Sequence, residues 1–321
     1  MQPSRRAFLL GRSTPRTPWQ AFCHSLRRAC DGELKLLPAS DPDGQGSRMP
    51  AGASQAPQAR WTPRTAADVR QARALCAEHG VQLALADSAA AVEGRPVLWV
   101  DPRRLDALVR ETGARARWRA GPGVTLGALA QAGLRQFAGQ EAGRTVAAWL
   151  ADRHAAAWPA GRADLSGIYA ADVLLADGVA DTLGPFGADD GWPLRSAALQ
   201  QLVPTLFRLA SGPEAQWCAA QSAWPARYRL DALLPVPPAS TNLARMLHGH
   251  GGTLAWLESL ILEVPPAGRI AAHGDHAGDA APAEDSETTR LPPGLPPAQA
   301  RALDRRIKDS FDPAGLFPEP F

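Results

Sequence analysis

Apolar positions along this chain switch repeatedly between helical spacing and alternation. Trp19, Phe22 and Leu26 fall three or four residues apart and predict an amphipathic helix from Pro18 to Ala29. Thr65-Ala66-Ala67-Asp68 supplies a capping-box start, Val69, Ala72, Leu75 and Cys76 continue at helical spacing, and Gly80 closes that helix. Short strands are expected at Val81–Ala86 and Pro96–Asp101, a short helix around Leu105, Leu108 and Val109, and a strand at Ala114–Ala120. Gly121-Pro122-Gly123 reads as a tight turn that leads into a helix capped by Thr125. Ala171–Gly178 reads as a buried strand ending in an Asp-Gly hairpin turn, and residues 195–210 read as a helix.

Beyond Pro213 the texture changes. Arg227–Val236 is expected as a strand, Pro237–Leu247 as a helix, and Thr253–Val264 as a longer strand, together half of a ferredoxin-like module. A final helix is expected from Pro297 to Phe311. Residues 38–60 and 265–297 lack periodicity and are rich in Pro, Gly, Ser or Ala, so they read as a linker and a disordered insert. The expected organisation is a basic helical segment at 1–37, the linker, a unit at 61–212, and a small α+β unit at 213–321.

Composition narrows the function. Of 321 residues 45% are apolar, ample for a core, and no run of 18 apolar residues predicts a membrane span. With 34 basic and 32 acidic side chains the net charge is +2, too balanced for a dedicated nucleic-acid binder. Cys23, Cys30, Cys76 and Cys218 form no C-x-x-C pair and read as buried thiols of a cytoplasmic protein. Arg5-Arg6 resembles a twin-arginine export signal, but Gly11–Arg16 interrupts the apolar stretch such a signal needs. His248, His250, His273 and His276 lack the spacing of a ligand set, so no metal is expected. Asp152 with His154 is a candidate acid–base pair, Tyr169 a candidate substrate contact, and the tryptophans read as core or interface.

Four pieces of local wording carry a resemblance. Ile307–Phe317 (IKDSFDPAGLF) is similar to the K-x-x-(F/L)-D-P-x-G ending of FAD-linked oxidases of the vanillyl-alcohol oxidase/p-cresol methylhydroxylase type. Gly121–Leu126 resembles their G-x-G-V turn, Leu174–Gly178 their A-D-G strand and turn, and Thr145-Val146 the start of their T-V-G-G loop. Within that group the chain looks most like the small FAD-binding subunits of bacterial glycolate oxidases, with the ending at 307–318. The resemblance implies an α+β fold, in which a PCMH-type FAD-binding domain of two α/β subdomains precedes a small ferredoxin-like cap. It implies non-covalent FAD, lined by Gly121, Pro122, Gly123, Val124, Thr125, Thr145 and Val146, with Gly161 and Gly167 nearby. It implies a small 2-hydroxy acid substrate and a larger flavoprotein oxidase subunit as partner. The uncovered half-module at 227–264 also predicts a hetero-complex. The chain departs from the pattern at three places. Ala84–Ala91 stands where the family has a glycine-rich loop, Thr145-Val146 is followed by Ala147-Ala148, and the tail ends Phe317-Pro318-Glu319-Pro320. A flavin-free relic of the fold, serving as an assembly subunit, is the competing expectation.

Overall fold

The computed structural model describes residues 17–38, 56–88, 92, 94–113, 115–156, 158–187, 194–221, 223–237, 239–265 and 296–320. Helix α1 (Pro18–Ala29) is capped by Thr17 and buries Phe22, Cys23 and Leu26. That face lies on α2 (Ala66–His79), where the Phe22 ring meets His79 edge-on at 5.8 Å. The capping box of Thr65 and Asp68 starts α2, and Gly80, at φ 66°, ends it.

These helices cover a four-stranded sheet of β1 (Gly32–Leu37), β2 (Gln58–Pro63), β3 (Gln82–Leu85) and β4 (Val97–Val100). Its order is β1-β2-β4-β3, with β1 antiparallel to β2 and the other pairs parallel. The second sheet is wholly antiparallel, in the order β5-β6-β9-β7-β8. Its strands are β5 (Leu108–Glu111), β6 (Arg117–Ala120), β7 (Ile168–Leu174), β8 (Ala180–Leu183) and β9 (Trp256–Glu263). The fold is therefore α+β. Between β6 and β7 lie the short helices α3 (Leu126–Gln131) and α4 (Val146–Ala151), and after β8 come α5 (Ala197–Ala210) and α6 (Pro213–Ala219). Helix α7 (Ala298–Phe311) lays Ala300, Leu303, Ile307 and Phe311 against the core, as its apolar spacing requires. No described helix is long and apolar enough to cross a membrane.

Several expectations change. Gln58–Arg60 is not linker but the first half of β2, where Ala59 and Trp61 turn inward on alternate residues. Residues 102–104 form a 3₁₀ turn, and Leu108 and Val109 belong to a strand instead of a helix. Arg227–Val236 is not a strand. Asp304 accepts the Arg227 and Tyr228 N–H groups, and Arg229 folds back on Asp231, so the chain turns through a 3₁₀ segment at Leu230–Leu233. Pro237–Leu247 holds only the 3₁₀ turn Leu243–Leu247. Strand β9 consequently has no half-module partner. It runs through the middle of the second sheet, hydrogen-bonded on both edges. All four cysteines are free and buried, as the spacing suggested. Arg5-Arg6, residues 39–55, His273, His276 and nearly all of the predicted insert lie outside the described residues.

Candidate functional site

Two similar turns build the region that the sequence singles out. Thr125 and Thr145 are both extended, and each side-chain oxygen caps a short helix by accepting the N–H three residues on, at 3.3 and 3.2 Å. The two threonines face one another in an antiparallel bridge. Leu126 N–H donates to the Arg144 carbonyl, Val146 N–H to that of Val124, and Ala147 N–H to that of Pro122, at 2.8, 2.8 and 3.0 Å. Gly121, Pro122, Gly123, Val124, Thr125, Thr145 and Val146 therefore meet in space.

Gly161 and Gly167 sit elsewhere. Gly161 donates to the Asp231 carboxylate and packs on Val236, while Gly167 packs on the Glu263 carbonyl and Pro265. Both have φ near +73°, so their glycine identity answers to backbone conformation.

The glycines at 121 and 123 also answer to the chain itself. A Cβ at Gly121 would overlap the Leu105 carbonyl oxygen, and one at Gly123 that of Pro102. Their N–H groups donate to the Ala107 and Leu105 carbonyls at 2.8 and 3.0 Å. Below the second turn, Ala147, Leu85, His250, Gly252, Trp256 and Phe317 are among the residues that line a cavity of about 10 Å³. That is room for about one water molecule.

Beside this cavity lies a buried polar layer. His248 accepts from Trp158 Nε1 at 3.2 Å and lies 4.6 Å from the Trp149 ring. Burial, with Arg229, His250 and Arg144 nearby, pushes His248 down to about 3; burial and Arg227 do the same to His250. Both imidazoles are neutral at pH 7, and no described cluster could hold a metal ion. Asp152 is not an acid–base partner of His154. Its carboxylate accepts from Arg144 at 2.7 Å and from the His154 backbone at 2.8 Å. Tyr169 lies against the Arg117 guanidinium, 3.2 Å from its ring centroid.

The carboxyl ends of the parallel strands carry a charged group that no motif announced. Arg60 bonds Asp87 through both carboxylate oxygens, at 3.2 and 3.0 Å, and Asp101 at 3.2 and 2.8 Å. Arg103 reaches Asp87 at 3.4 Å and Asp101 at 3.6 Å. A larger open concavity of about 510 Å³ lies on the second sheet. There Arg70 is paired with Glu258, and Arg119 with Asp172 and Glu111.

No family model matches the chain, and no curated protein does. Among solved structures it is similar to a chitooligosaccharide oxidase, with 15% identity over 76% of this chain and 43% of that one, at a TM-score of 0.40. The xylooligosaccharide oxidase from Myceliophthora thermophila C1 gives 15%, 76%, 42% and 0.38. A cholesterol oxidase from Brevibacterium sterolicum gives 12%, 65%, 34% and 0.35. The chain thus spans less than half the length of these structures, and the assignments below rest on its own residues.

An FAD site would need backbone N–H groups free to face a diphosphate, and space for the dinucleotide. Here the N–H groups of Gly121, Gly123, Val124, Val146 and Ala147 are all bonded within the chain. The space beside Ala147 is about one water wide, and Asp87 places a carboxylate at the end of β3. As arranged, these five N–H groups are taken by the chain and do not fit a diphosphate.

Proposed function

We propose that this chain is a partner subunit of an FAD-linked oxidoreductase that acts on a small 2-hydroxy acid such as glycolate. It lends the assembly a flavin-oxidase-type scaffold, and a larger flavoprotein subunit carries the cofactor and the redox chemistry. The observation that carries this reading is the cavity of only about 10 Å³ that Leu85, Ala147, His250 and Gly252 help to line, together with the N–H groups of Gly121, Gly123, Val124, Val146 and Ala147, which are bonded within the chain. The tail motif and the order of the short motifs support the oxidase class. Edge strand β1 supports association, because Leu36 and Leu37 on it are 56% and 39% exposed. The test is purification of the complex from its native host, followed by separation of its subunits. Flavin and oxidase activity should follow the larger subunit, and this chain should be colourless.

A second reading keeps FAD on this chain, bound non-covalently beside Gly121–Thr125 and Thr145-Val146. The motif order favours it. Acid precipitation of the isolated chain would then release flavin into the supernatant, and that result would replace the first reading.

A further inference from the structure

The two edges of the first sheet end differently. At the β3 edge the Leu83 N–H donates to the Leu316 carbonyl of the tail at 2.9 Å, so that edge is covered. At the other edge β1 pairs with β2 alone. On its outer side every second residue turns an N–H and a C=O away from the sheet, and no described strand takes them. All its residues are exposed except Leu34, which is half-buried against the core. Such an edge is a template for another strand.

The side chains of β1 say which strand fits. Two copies of one edge meet antiparallel about a two-fold axis, and that axis sets one residue opposite its own copy. An axis at Lys35 would oppose two ammonium groups, and one at Glu33 two carboxylates, both unfavourable. An axis at Gly32, Leu36 or Leu37 leaves little of either strand paired. An axis at Leu34 pairs Gly32–Leu36 of each copy and sets Glu33 opposite Lys35 of the second copy, twice over. Leu34 then meets its own copy, with Leu36 diagonal to it on the same face. Within one copy Glu33 and Lys35 pair with each other at 3.0 Å, both more than half exposed, so both charges stand in reach of a second copy. We propose that β1 is the interface for a second copy of this chain, with the two strands antiparallel about an axis at Leu34 and the two sheets continuous. The pairing is closed by its own symmetry and stops at two copies. It goes beyond the partner-subunit reading and stands without it.

The test is analytical ultracentrifugation of the full chain over a dilution series at low salt. It should show monomer and dimer in equilibrium and no larger species. Lys35→Glu sets like charges opposite at both ends of the pairing and should weaken the dimer at least about tenfold, and Glu33→Lys should do the same. Both changes lie on the exposed strand, so each variant should keep the circular dichroism of the unaltered chain. Mixing the two variants sets Glu against Lys again and should restore a dimer with one copy of each. The double variant Glu33→Lys/Lys35→Glu should also recover it. A monomer at every concentration, or polymers beyond two copies, would overturn the proposal. So would a dimer indifferent to either charge reversal, or single variants that stay apart when mixed. None of these results bears on which subunit carries the flavin, so the proposed function stands or falls separately.

Discussion

The C-terminal tail and the pair of threonine-capped turns both match family wording, yet they do opposite work. In the tail, Lys308 donates to Asp312 and to the carbonyls of Thr253 and Phe317 at 2.9 and 3.0 Å, all inside the protein. Asp312 in turn accepts the N–H groups of Leu316 and Phe317 at 2.9 and 2.7 Å. Leu316 then accepts from Leu83 on β3, so the motif ties the last helix to the first sheet. Lys308 and Asp312, which match the pattern, thus have architectural tasks. In the turns, the matching glycines pack on Pro102 and Leu105, and Ala147, one of the two mismatched alanines, lines the small cavity beside Leu85 and His250. The tail thus spends its polar groups on joining helix to sheet, whereas the turns spend their glycines on close backbone packing.

Breaking the tail should have the largest effect. Lys308→Met leaves Asp312 charged, buried and without its cation, and should lower the unfolding free energy by about 3–5 kcal/mol, read by urea denaturation. Loss below about 1 kcal/mol would mean that the clamp is incidental.

The polar layer between the two regions gives a pH test. The folded pKa values of His248 and His250 lie well below the ordinary value, so the unfolded chain protonates first and stability falls as pH drops from about 6.5 towards 3. Asp304 opposes this. Burial raises it to about 6 against the pull of the Arg227 and Tyr228 N–H groups, so stability is lost as pH rises from about 4 to 6. With two histidines against one aspartate, unfolding between pH 6 and 4 should take up about one net proton, which lowers stability by roughly 3 kcal/mol over that span. Replacing His250 by Leu should flatten the slope.

The turns should respond to added atoms more than to lost ones. A side chain added at Gly123 runs into the Pro102 backbone, so even Gly123→Ala should destabilise, by about 1–3 kcal/mol in the same denaturation assay. Thr125→Ala and Thr145→Ala each remove one helix cap and should cost about 1 kcal/mol. Coupling between these two, measured as a double-mutant cycle, would show that their bridge holds the turns as one unit.

Much of the fold was legible in periodicity. Helix α1, the capped α2, the Asp-Gly hairpin of β7 and β8, and the final helix stand close to where their spacing put them, because local capping and burial decide them. The region 227–247 was not legible. Its apolar alternation suggested a strand, but Asp304, some 76 residues away, takes its N–H groups, and Arg229 closes on Asp231. A long-range hydrogen bond leaves no local signature. The site was legible as a set of neighbouring loops, since Gly121–Thr125 and Thr145-Val146 do meet. That their donors face inward was not, because the partners are main-chain carbonyls, which every sequence carries. Arg60 and Asp101 went unnoticed for a similar reason: they lie 41 residues apart and match no motif.

Amide hydrogen exchange of the flavin-free chain tests the closed turns most directly. The N–H groups of Gly121, Gly123, Val146 and Ala147 donate to carbonyls of Ala107, Leu105, Val124 and Pro122. They should be protected from exchange in the protein alone, and excess FAD should leave their rates unchanged. Rapid exchange at these four amides that slows only when FAD is added would show turns open to a ligand, and would contradict the account.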